Sequence, residues 1–226
     1  MSKPLASRGV FITGTDTGVG KTYVGSRLAR RLHDRGIDVE PRKPVETGCA
    51  RQGGEFVPAD AYLYWQAVDE RVPLETICPF RLATPASPER AAEIEGVDLA
   101  LDQLASAASA GGNGYRLIEG AGGFYSPIAP NALNADLAAR LNLPVLLVVG
   151  DRLGCVNHAL LTIEAIARRG LALCAVVMNA PDADEPDALR NDLALARRLS
   201  QPLVRVRGQA ERAWLDELIA YLPGIA

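Results

Sequence analysis

The segment of residues 14–22, GTDTGVGKT, has the residue types and the setting of a phosphate-binding loop. A short apolar run precedes it at residues 10–14, and an amphipathic pattern follows it at residues 21–32. Glycines let the backbone turn so that its N–H groups point at phosphate oxygens, and a following helix adds the positive end of its dipole. Lys21 can then reach the outer phosphates, and the Thr22 hydroxyl can ligate Mg²⁺. The segment predicts a nucleoside triphosphate site.

The loop departs by one residue from the common GxxxxGK[ST] pattern. That pattern would need a glycine where Thr15 stands, whereas here the first glycine comes one residue earlier, at Gly14. An ordinary glycine-rich turn between a strand and a helix is the plain alternative, but GVGKT in this setting favours phosphate binding. The residues expected to contact the nucleotide at this loop are Gly18, Val19, Gly20, Lys21, Thr22 and Tyr23.

An acid and a second lysine also stand at the ends of apolar runs. Glu119 ends the run YRLIE, where phosphate-loop proteins place a carboxylate that faces the magnesium ion. Hard Mg²⁺ prefers such oxygen ligands. Lys43 ends the run at residues 37–43 and should project over the same edge of the sheet. Taken alone, Glu119 could be an exposed acid at a strand end and Lys43 an ordinary surface lysine.

Strand-sized apolar runs alternate with helical patterns along the chain. The runs span residues 10–14, 37–43, 115–120, 144–150, 173–179 and 202–206, and the helical patterns span residues 21–32, 61–68, 99–108, 155–168, 188–199 and 211–222. Runs that are hydrophobic throughout suit strands covered on both faces. The pattern predicts an α/β fold of the P-loop NTPase type, one domain over residues 1–226, with a doubly wound, mostly parallel sheet flanked by helices. Ligands then bind at the carboxyl ends of the strands.

Two stretches break this alternation. Residues 46–58 and 79–96 show no periodicity and contain several glycines, prolines and serines. Because long loops in compact domains are often functional, we expect loops there that contact the substrate.

The composition narrows the classes of partner. The 226 residues carry a formal net charge of −3, which supplies no basic patch for nucleic acid. No apolar run is long enough to span a membrane, and the first residues lack the features of a secretory signal, so we expect a cytoplasmic protein. The four cysteines are scattered and form no metal-binding pattern with the two histidines. A small-molecule ligand is the expected partner.

Four motifs in order resemble those of the dethiobiotin synthase family. They are GTDTGVGKT at residues 14–22, RKPVETG at 42–48, EGAGG at 119–123 and LGCVNH at 153–158. The resemblance implies an ATP- and Mg²⁺-dependent ligase that carboxylates 7,8-diaminopelargonic acid with CO₂ and closes the ureido ring of dethiobiotin. It further implies a carbamate and a carbamic-phosphoric anhydride as intermediates.

The resemblance also implies roles for individual residues. Lys21 and Lys43 would be catalytic, with Lys43 holding the carbamate and the transferred phosphate. Asp60 would complete a metal site with Thr22 and Glu119, although its position just before a helical pattern also fits an ordinary N-cap. The other implied nucleotide contacts are Asp60, Glu119, Gly120, Ala121, Gly122 and Asn179, and the implied substrate contacts are Thr17, Thr47, Gly154, Cys155 and Asn157. The last three would act from the neighbouring subunit of a homodimer, or form an ordinary helix start.

A regulatory P-loop ATPase of the partitioning kind is the main alternative. Those proteins carry a lysine early in the loop, at the position of Asp16 here. The preference for ATP over GTP or CTP stays open, because Ala180 and residues 202–209 depart from the family pattern in the segments that read the base.

Overall fold

A computed structural model describes residues 8–180, 190–206 and 208–225. The strands within these ranges are β1 (Gly9–Gly14), β2 (Val39–Arg42), β3 (Val45–Thr47), β4 (Ala50–Gln52), β5 (Glu55–Val57), β6 (Phe80–Leu82), β7 (Tyr115–Gly123), β8 (Pro127–Ala129), β9 (Ala132–Leu133), β10 (Val145–Gly150), β11 (Leu173–Asn179) and β12 (Leu203–Val206). The helices are α1 (Lys21–Asp34), α2 (Ala59–Ala67), α3 (Leu74–Ile77), α4 (Pro88–Glu95), α5 (Leu101–Ser109), α6 (Asn134–Leu141), α7 (Cys155–Arg168), α8 (Asn191–Ala196) and α9 (Glu211–Ile219).

The main sheet has six parallel strands in the order β12-β11-β10-β1-β7-β2. The phosphate-loop strand β1 therefore lies in the middle, between β10 and β7. Parallel strands end at the same edge, so the segments that follow β1, β2 and β10 and the last residues of β7 are brought together there. This arrangement confirms the predicted α/β fold with helices flanking a parallel sheet.

Two hydrophobic cores cover the two faces of the sheet. Successive residues of β1 alternate between them: Phe11 packs with α4 to α8, whereas Val10 and Ile12 pack with α1, α2 and α9. In β10, Leu147 lies in the same core as Phe11, and Leu146 lies in the same core as Val10 and Ile12. Because both faces are buried, nearly every position must be apolar, which explains the continuous hydrophobic runs.

The two stretches predicted as loops contain regular structure. The first includes the hairpin of β4 with β5, and the second includes β6 and α4. Three-residue strands are too short for a periodic signal, which is why the loop prediction was wrong. For α4 a usable signal existed, because Ser87 occupies the N-cap position and Pro88 the first helical position.

Other predicted elements differ in extent. Helix α7 begins and ends where predicted, whereas β7 continues past residue 120 to Gly123. Of the helix predicted at residues 188–199, residues 188 and 189 lie outside the described ranges, and α8 spans only Asn191–Ala196, between an N-cap at Arg190 and a C-cap at Arg197. The single-domain organisation of residues 1–226 stays a prediction. No helix in the described part of the chain is long and apolar enough to cross a membrane.

Candidate active site

The turn between β1 and α1 leaves the first N–H groups of α1 without a side-chain cap. Gly20 occupies the N-cap position with φ of 93°, a left-handed conformation that glycine adopts at little cost. A side chain there would also collide with the amide of Asn179, since a Cβ on Gly20 would lie 2.0 Å from Asn179 Nδ2. The uncapped helix start and its dipole make this turn suited to an anion.

Lys21 lies in this turn with 6% of its surface exposed. Its ammonium donates to the Asp16 carbonyl oxygen at 3.0 Å and forms no salt bridge with a carboxylate of the described residues. Burial, together with the positive charge of Lys43, lowers the pKa of Lys21 to about 8, although Glu119 and Asp60 oppose the shift. A polyanionic ligand in the turn would supply the missing negative charge.

The second lysine has the opposite surroundings. Lys43 follows β2, is 3% exposed, and donates to Asp60 Oδ2 at 3.0 Å and to Glu119 Oε1. The Thr22 hydroxyl donates to the same Glu119 oxygen at 2.9 Å. Burial alone would lower the pKa of Lys43, but the two carboxylates outweigh it and raise the pKa. Burial raises and Lys43 lowers the pKa of Asp60, with a net decrease.

A buried ion pair fixes the strand end from which Lys43 projects. Arg42 is 1% exposed, and its guanidinium donates to Glu40 Oε2 at 3.0 Å and to the carbonyl oxygens of Pro41 and Ala110. The backbone N–H of Lys43 donates to the Ile77 carbonyl at 2.7 Å. These contacts hold the backbone of Arg42 and Lys43 in place, and the Lys43 side chain reaches Asp60 and Glu119 from there.

Helix α2 contributes residues that the sequence did not reveal. Glu46 is buried, and its carboxylate accepts the backbone N–H groups of Asp60 at 2.9 Å and Ala61 at 3.0 Å, so another element caps the start of α2. Pro58 holds the N-cap position, so Asp60 is not the N-cap; its carboxylate faces Lys43 instead. The hydroxyl of Tyr64 donates to Glu119 Oε2 at 2.7 Å, and burial beside Glu119 raises the pKa of this phenol, which keeps its proton.

The turn between β1 and α1, called the phosphate turn below, shares one cavity of about 410 Å³ with the acidic cluster that Asp60 and Glu119 form around Lys43. It is lined by Thr17, Gly18, Gly20, Lys21, Thr22, Lys43, Glu46, Thr47, Asp60, Glu119, Ala121 and Gly122. Most residues singled out from the sequence for nucleotide, metal or substrate contacts therefore meet here. Glu119 is 1% exposed, so it is not an ordinary acid exposed at a strand end.

Four of the predicted nucleotide residues, Val19, Tyr23, Gly120 and Asn179, lie outside this lining. Val19 is buried, and its carbonyl oxygen accepts Asn179 Nδ2 at 3.0 Å. Gly120 packs against Asn134, and Tyr23 lies under the guanidinium of Arg27. A side chain at Gly120 would come within 2.8 Å of Asn134 Oδ1, so this glycine makes room for packing.

Asn134, like Glu46 and Tyr64, is a residue that the sequence did not reveal. It is fully buried at the start of α6, donates to the carbonyl oxygens of Ala121 and Gly123, and accepts the Ala121 N–H at 3.2 Å. These bonds hold the end of β7, which forms one wall of the cavity.

The LGCVNH segment does not reach the cavity of its own chain. Gly154 is the N-cap of α7, Cys155 is buried, and Asn157 is exposed, and none of the three lines the cavity. Arg152, just before them, pairs with Asp16 of the phosphate turn at 2.8 Å. The structure thus places this motif beside the phosphate turn without bringing it to the acidic cluster.

The acidic cluster is chemically suited to Mg²⁺. Thr22, Asp60 and Glu119 supply a hydroxyl and two carboxylates around the Lys43 ammonium, which places hard oxygen donors around one positive charge. No group of three or more His, Cys, Asp or Glu side chains in the described ranges is arranged to hold a metal. An ion that keeps several waters and takes phosphate oxygens needs no more than this set.

The fold is shared with solved P-loop proteins. A septum site-determining protein MinD from Pyrococcus horikoshii, complexed with Mg-ADP, superposes with a TM-score of 0.53 at 15% identity, covering 97% of this chain and 90% of that one. A cobyrinic acid a,c-diamide synthase from Mycobacterium smegmatis, with bound ADP and magnesium, gives 0.56 at 14%, covering 96% and 94%. At such identities the likeness concerns the fold alone.

Sequence comparisons are more specific. A family model described as an AAA domain matches residues 8–211. The ATP-dependent dethiobiotin synthetase BioD of Anaeromyxobacter dehalogenans (strain 2CP-1) is 43% identical over 194 residues, 84% of this chain and 85% of that protein. The protein of the same name from Cellvibrio japonicus is 39% identical over 220 residues, 96% of each chain. Identity at this level over nearly the whole length shows that the chain belongs to the family of ATP-dependent dethiobiotin synthetases.

Proposed function

We propose that this ATP-dependent ligase of biotin synthesis joins CO₂ to 7,8-diaminopelargonic acid and closes the ureido ring of dethiobiotin in an Mg²⁺-dependent reaction. One observation carries the proposal: the phosphate turn and the Lys43–Asp60–Glu119 cluster face each other across one cavity. A nucleotide on one side and an acceptor on the other would then meet in line.

The nucleotide half of the site consists of the turn and Lys21. Backbone N–H groups from residues 18–23 would hold the phosphates. Lys21, which forms no salt bridge within the described residues, would neutralise the outermost phosphate. Thr22, Asp60 and Glu119 would hold Mg²⁺, which when bound neutralises the charge that develops on the phosphates. On the cavity wall, Ala121 and Gly122 would contact the same phosphates.

The acceptor half consists of Lys43 with Thr47 and Thr17. One amine of the substrate attacks CO₂ to form a carbamate and releases a proton. A carbamate oxygen then attacks the γ-phosphorus of ATP, ADP leaves, and a carbamic-phosphoric anhydride results. Its carbonyl carbon is attacked by the second amine, which closes the ring and expels phosphate. Lys43 would hold the carbamate and the phosphoryl group in transfer, so positioning and charge neutralisation suffice and no covalent enzyme intermediate is needed.

The carboxylate tail of the substrate would be bound by a second copy of the chain. Gly154, Cys155 and Asn157 lie at an uncovered helix start, and the neighbouring Leu153 is 84% exposed. A homodimer would cover Leu153 and bring this anion site to the partner's cavity. A cytoplasmic location agrees with this chemistry.

Asn179 would contact the base of the nucleotide. Its Nδ2 is engaged by the Val19 carbonyl, whereas its buried Oδ1 has no partner within the described residues. An acceptor in that position suits the exocyclic amine of adenine.

The proposal is tested by phosphate release from Mg-ATP, measured with and without 7,8-diaminopelargonic acid and bicarbonate, with the product identified by mass. We expect release to depend on the diamine and to match formation of the cyclic urea one for one. Arg90→Ala, in an exposed ion pair with Glu93, is the matched control and should leave the rate unchanged. Hydrolysis indifferent to the diamine would overturn the proposal and favour a regulatory ATPase.

A further inference from the structure

One side chain contacts the acidic cluster from behind, away from the cavity. Tyr64 of α2 is fully buried, and its hydroxyl donates to Glu119 Oε2 at 2.7 Å. The other oxygen, Oε1, accepts Thr22 and Lys43 on the cavity side. The two oxygens of Glu119 therefore have separate tasks, and Tyr64 occupies the one that faces the protein interior.

The neighbouring helix has a glycine that makes this contact possible. A Cβ on Gly25 would lie 1.8 Å from the Tyr64 oxygen and 2.8 Å from its ring. Glycine in a helix interior is unfavourable, so its presence calls for a packing reason. Gly25 lies three residues after Thr22 on α1, so the helix that begins the phosphate turn also admits the Tyr64 ring.

Helix α2 connects this contact to the second carboxylate. Asp60 and Tyr64 are four residues apart on α2 and so lie on one face of the helix. The start of α2 is in turn held by the Glu46 carboxylate. Helix α2, whose start is held by Glu46, thus carries Asp60 and also contacts Glu119 through Tyr64.

We propose that Tyr64 is a positioning residue for the metal site, whose hydroxyl fixes Glu119 so that Oε1 faces the phosphates. The inference rests on the proposed role of Glu119 in holding Mg²⁺. Tyr64 has no exposed surface and does not line the cavity, so it acts only through Glu119. Hydrogen bonds of this kind orient metal ligands, and their loss typically weakens metal binding about 10- to 100-fold.

The test compares Tyr64→Phe with the wild-type protein, using Mn²⁺ as a spectroscopic probe and ADP as the nucleotide. Free Mn²⁺ is measured by electron paramagnetic resonance at saturating ADP, and ADP affinity is measured separately in the presence of EDTA. We expect Mn²⁺ to bind about tenfold more weakly to Tyr64→Phe, with metal-free ADP affinity unchanged. A merely structural role would change both affinities or neither.

Tyr115→Phe provides a matched control. Tyr115 is also buried, but its hydroxyl has no hydrogen-bond partner among the residues that the structure describes, so its removal should change neither affinity. Equal Mn²⁺ affinity in Tyr64→Phe and the wild-type protein would overturn the inference, as would a parallel loss of metal-free ADP binding. Failure of the wild-type protein to bind Mn²⁺ with ADP would instead overturn the metal site in the proposed function, and the two failures are thus distinguishable.

Discussion

The two sides of the cavity neutralise charge in opposite ways. In the phosphate turn, Lys21 is buried beside backbone groups and forms no salt bridge within the described part of the chain, and burial lowers its pKa to about 8. In the acidic cluster, Lys43 is buried between Asp60 and Glu119, and its pKa rises. Lys21 is therefore suited to pair with an anionic ligand, whereas Lys43 is already paired with the carboxylates of Asp60 and Glu119.

The choice of residue type supports this contrast. Of the 24 lysines and arginines, only Lys3, Lys21 and Lys43 are lysines, and Lys3 lies outside the described residues. Elsewhere the chain uses arginine. An ammonium on a flexible stem shifts its pKa readily and contacts oxygens as a point charge, which a guanidinium does not do. Both described lysines lie in the cavity, so the chain keeps lysine where that chemistry is needed.

The largest expected effect comes from breaking the phosphate side. Lys21→Ala should lower turnover by a factor of about 10² to 10³ or more, because a charge aimed at the transferred phosphate is lost. Steady-state phosphate release with the diamine and bicarbonate measures it. Near-normal turnover would remove the assignment of residues 14–22 as the phosphate loop.

Breaking the acidic side should reduce stability. Lys43→Met leaves Glu119 buried and without its cation, which should cost about 3 kcal/mol in the free energy of unfolding measured with urea. Arg168→Met is the control, because Arg168 and Glu164 form an exposed pair whose loss should cost about 0.5 kcal/mol or less. Equal losses in the two variants would show that the Lys43 pair is screened by solvent.

A smaller effect distinguishes the two lysines by their chemical reactivity. At pH 8 about half of Lys21 is unprotonated, since its pKa is lowered to about 8, whereas Lys43 stays protonated because its pKa is raised. An amine-reactive reagent should therefore modify Lys21 at least about tenfold faster, as peptide mass spectrometry can measure. Modification of Lys21 should rise with pH through about 8 and level off about one pH unit higher, and Mg-ATP should suppress it. Equal rates of modification of Lys21 and Lys43 at pH 8 would contradict the opposite shifts of their pKa values.

The phosphate side could be predicted from the sequence, and much of the acidic side could not. A turn built from glycines and backbone N–H groups is encoded by consecutive residues, so GTDTGVGKT was sufficient to identify it. Glu46 and Tyr64 act across separate elements, on the backbone N–H groups of Asp60 and Ala61 and on Glu119, respectively. Tyr64 belongs to no local pattern, and although Glu46 stands inside the RKPVETG motif, its contact with the start of α2 cannot be read from that motif. Asn134 is similar, since its role depends on how α6 packs against β7.

The fold likewise contains elements that the sequence predicts and elements that it does not. Short apolar runs predicted the six main strands, and the runs of β10 and β11 are hydrophobic throughout because those strands are buried on both faces. The short strands β3 and β6 depend on a contact between distant segments, since they pair with each other, whereas β4 and β5 form a local hairpin of three-residue strands. Residues 46–58 therefore gave no periodic signal, although Glu46 and Thr47 lie on the cavity wall.

The division of labour between the two lysines is tested most directly by ATP binding to Lys43→Met, measured by calorimetry beside turnover of the same folded variant. We expect ATP affinity within about threefold of the wild-type protein and no detectable cyclic urea, because Lys43 would act on the carbamate. A loss of ATP affinity as large as that of Lys21→Ala would contradict it and place Lys43 in the nucleotide site.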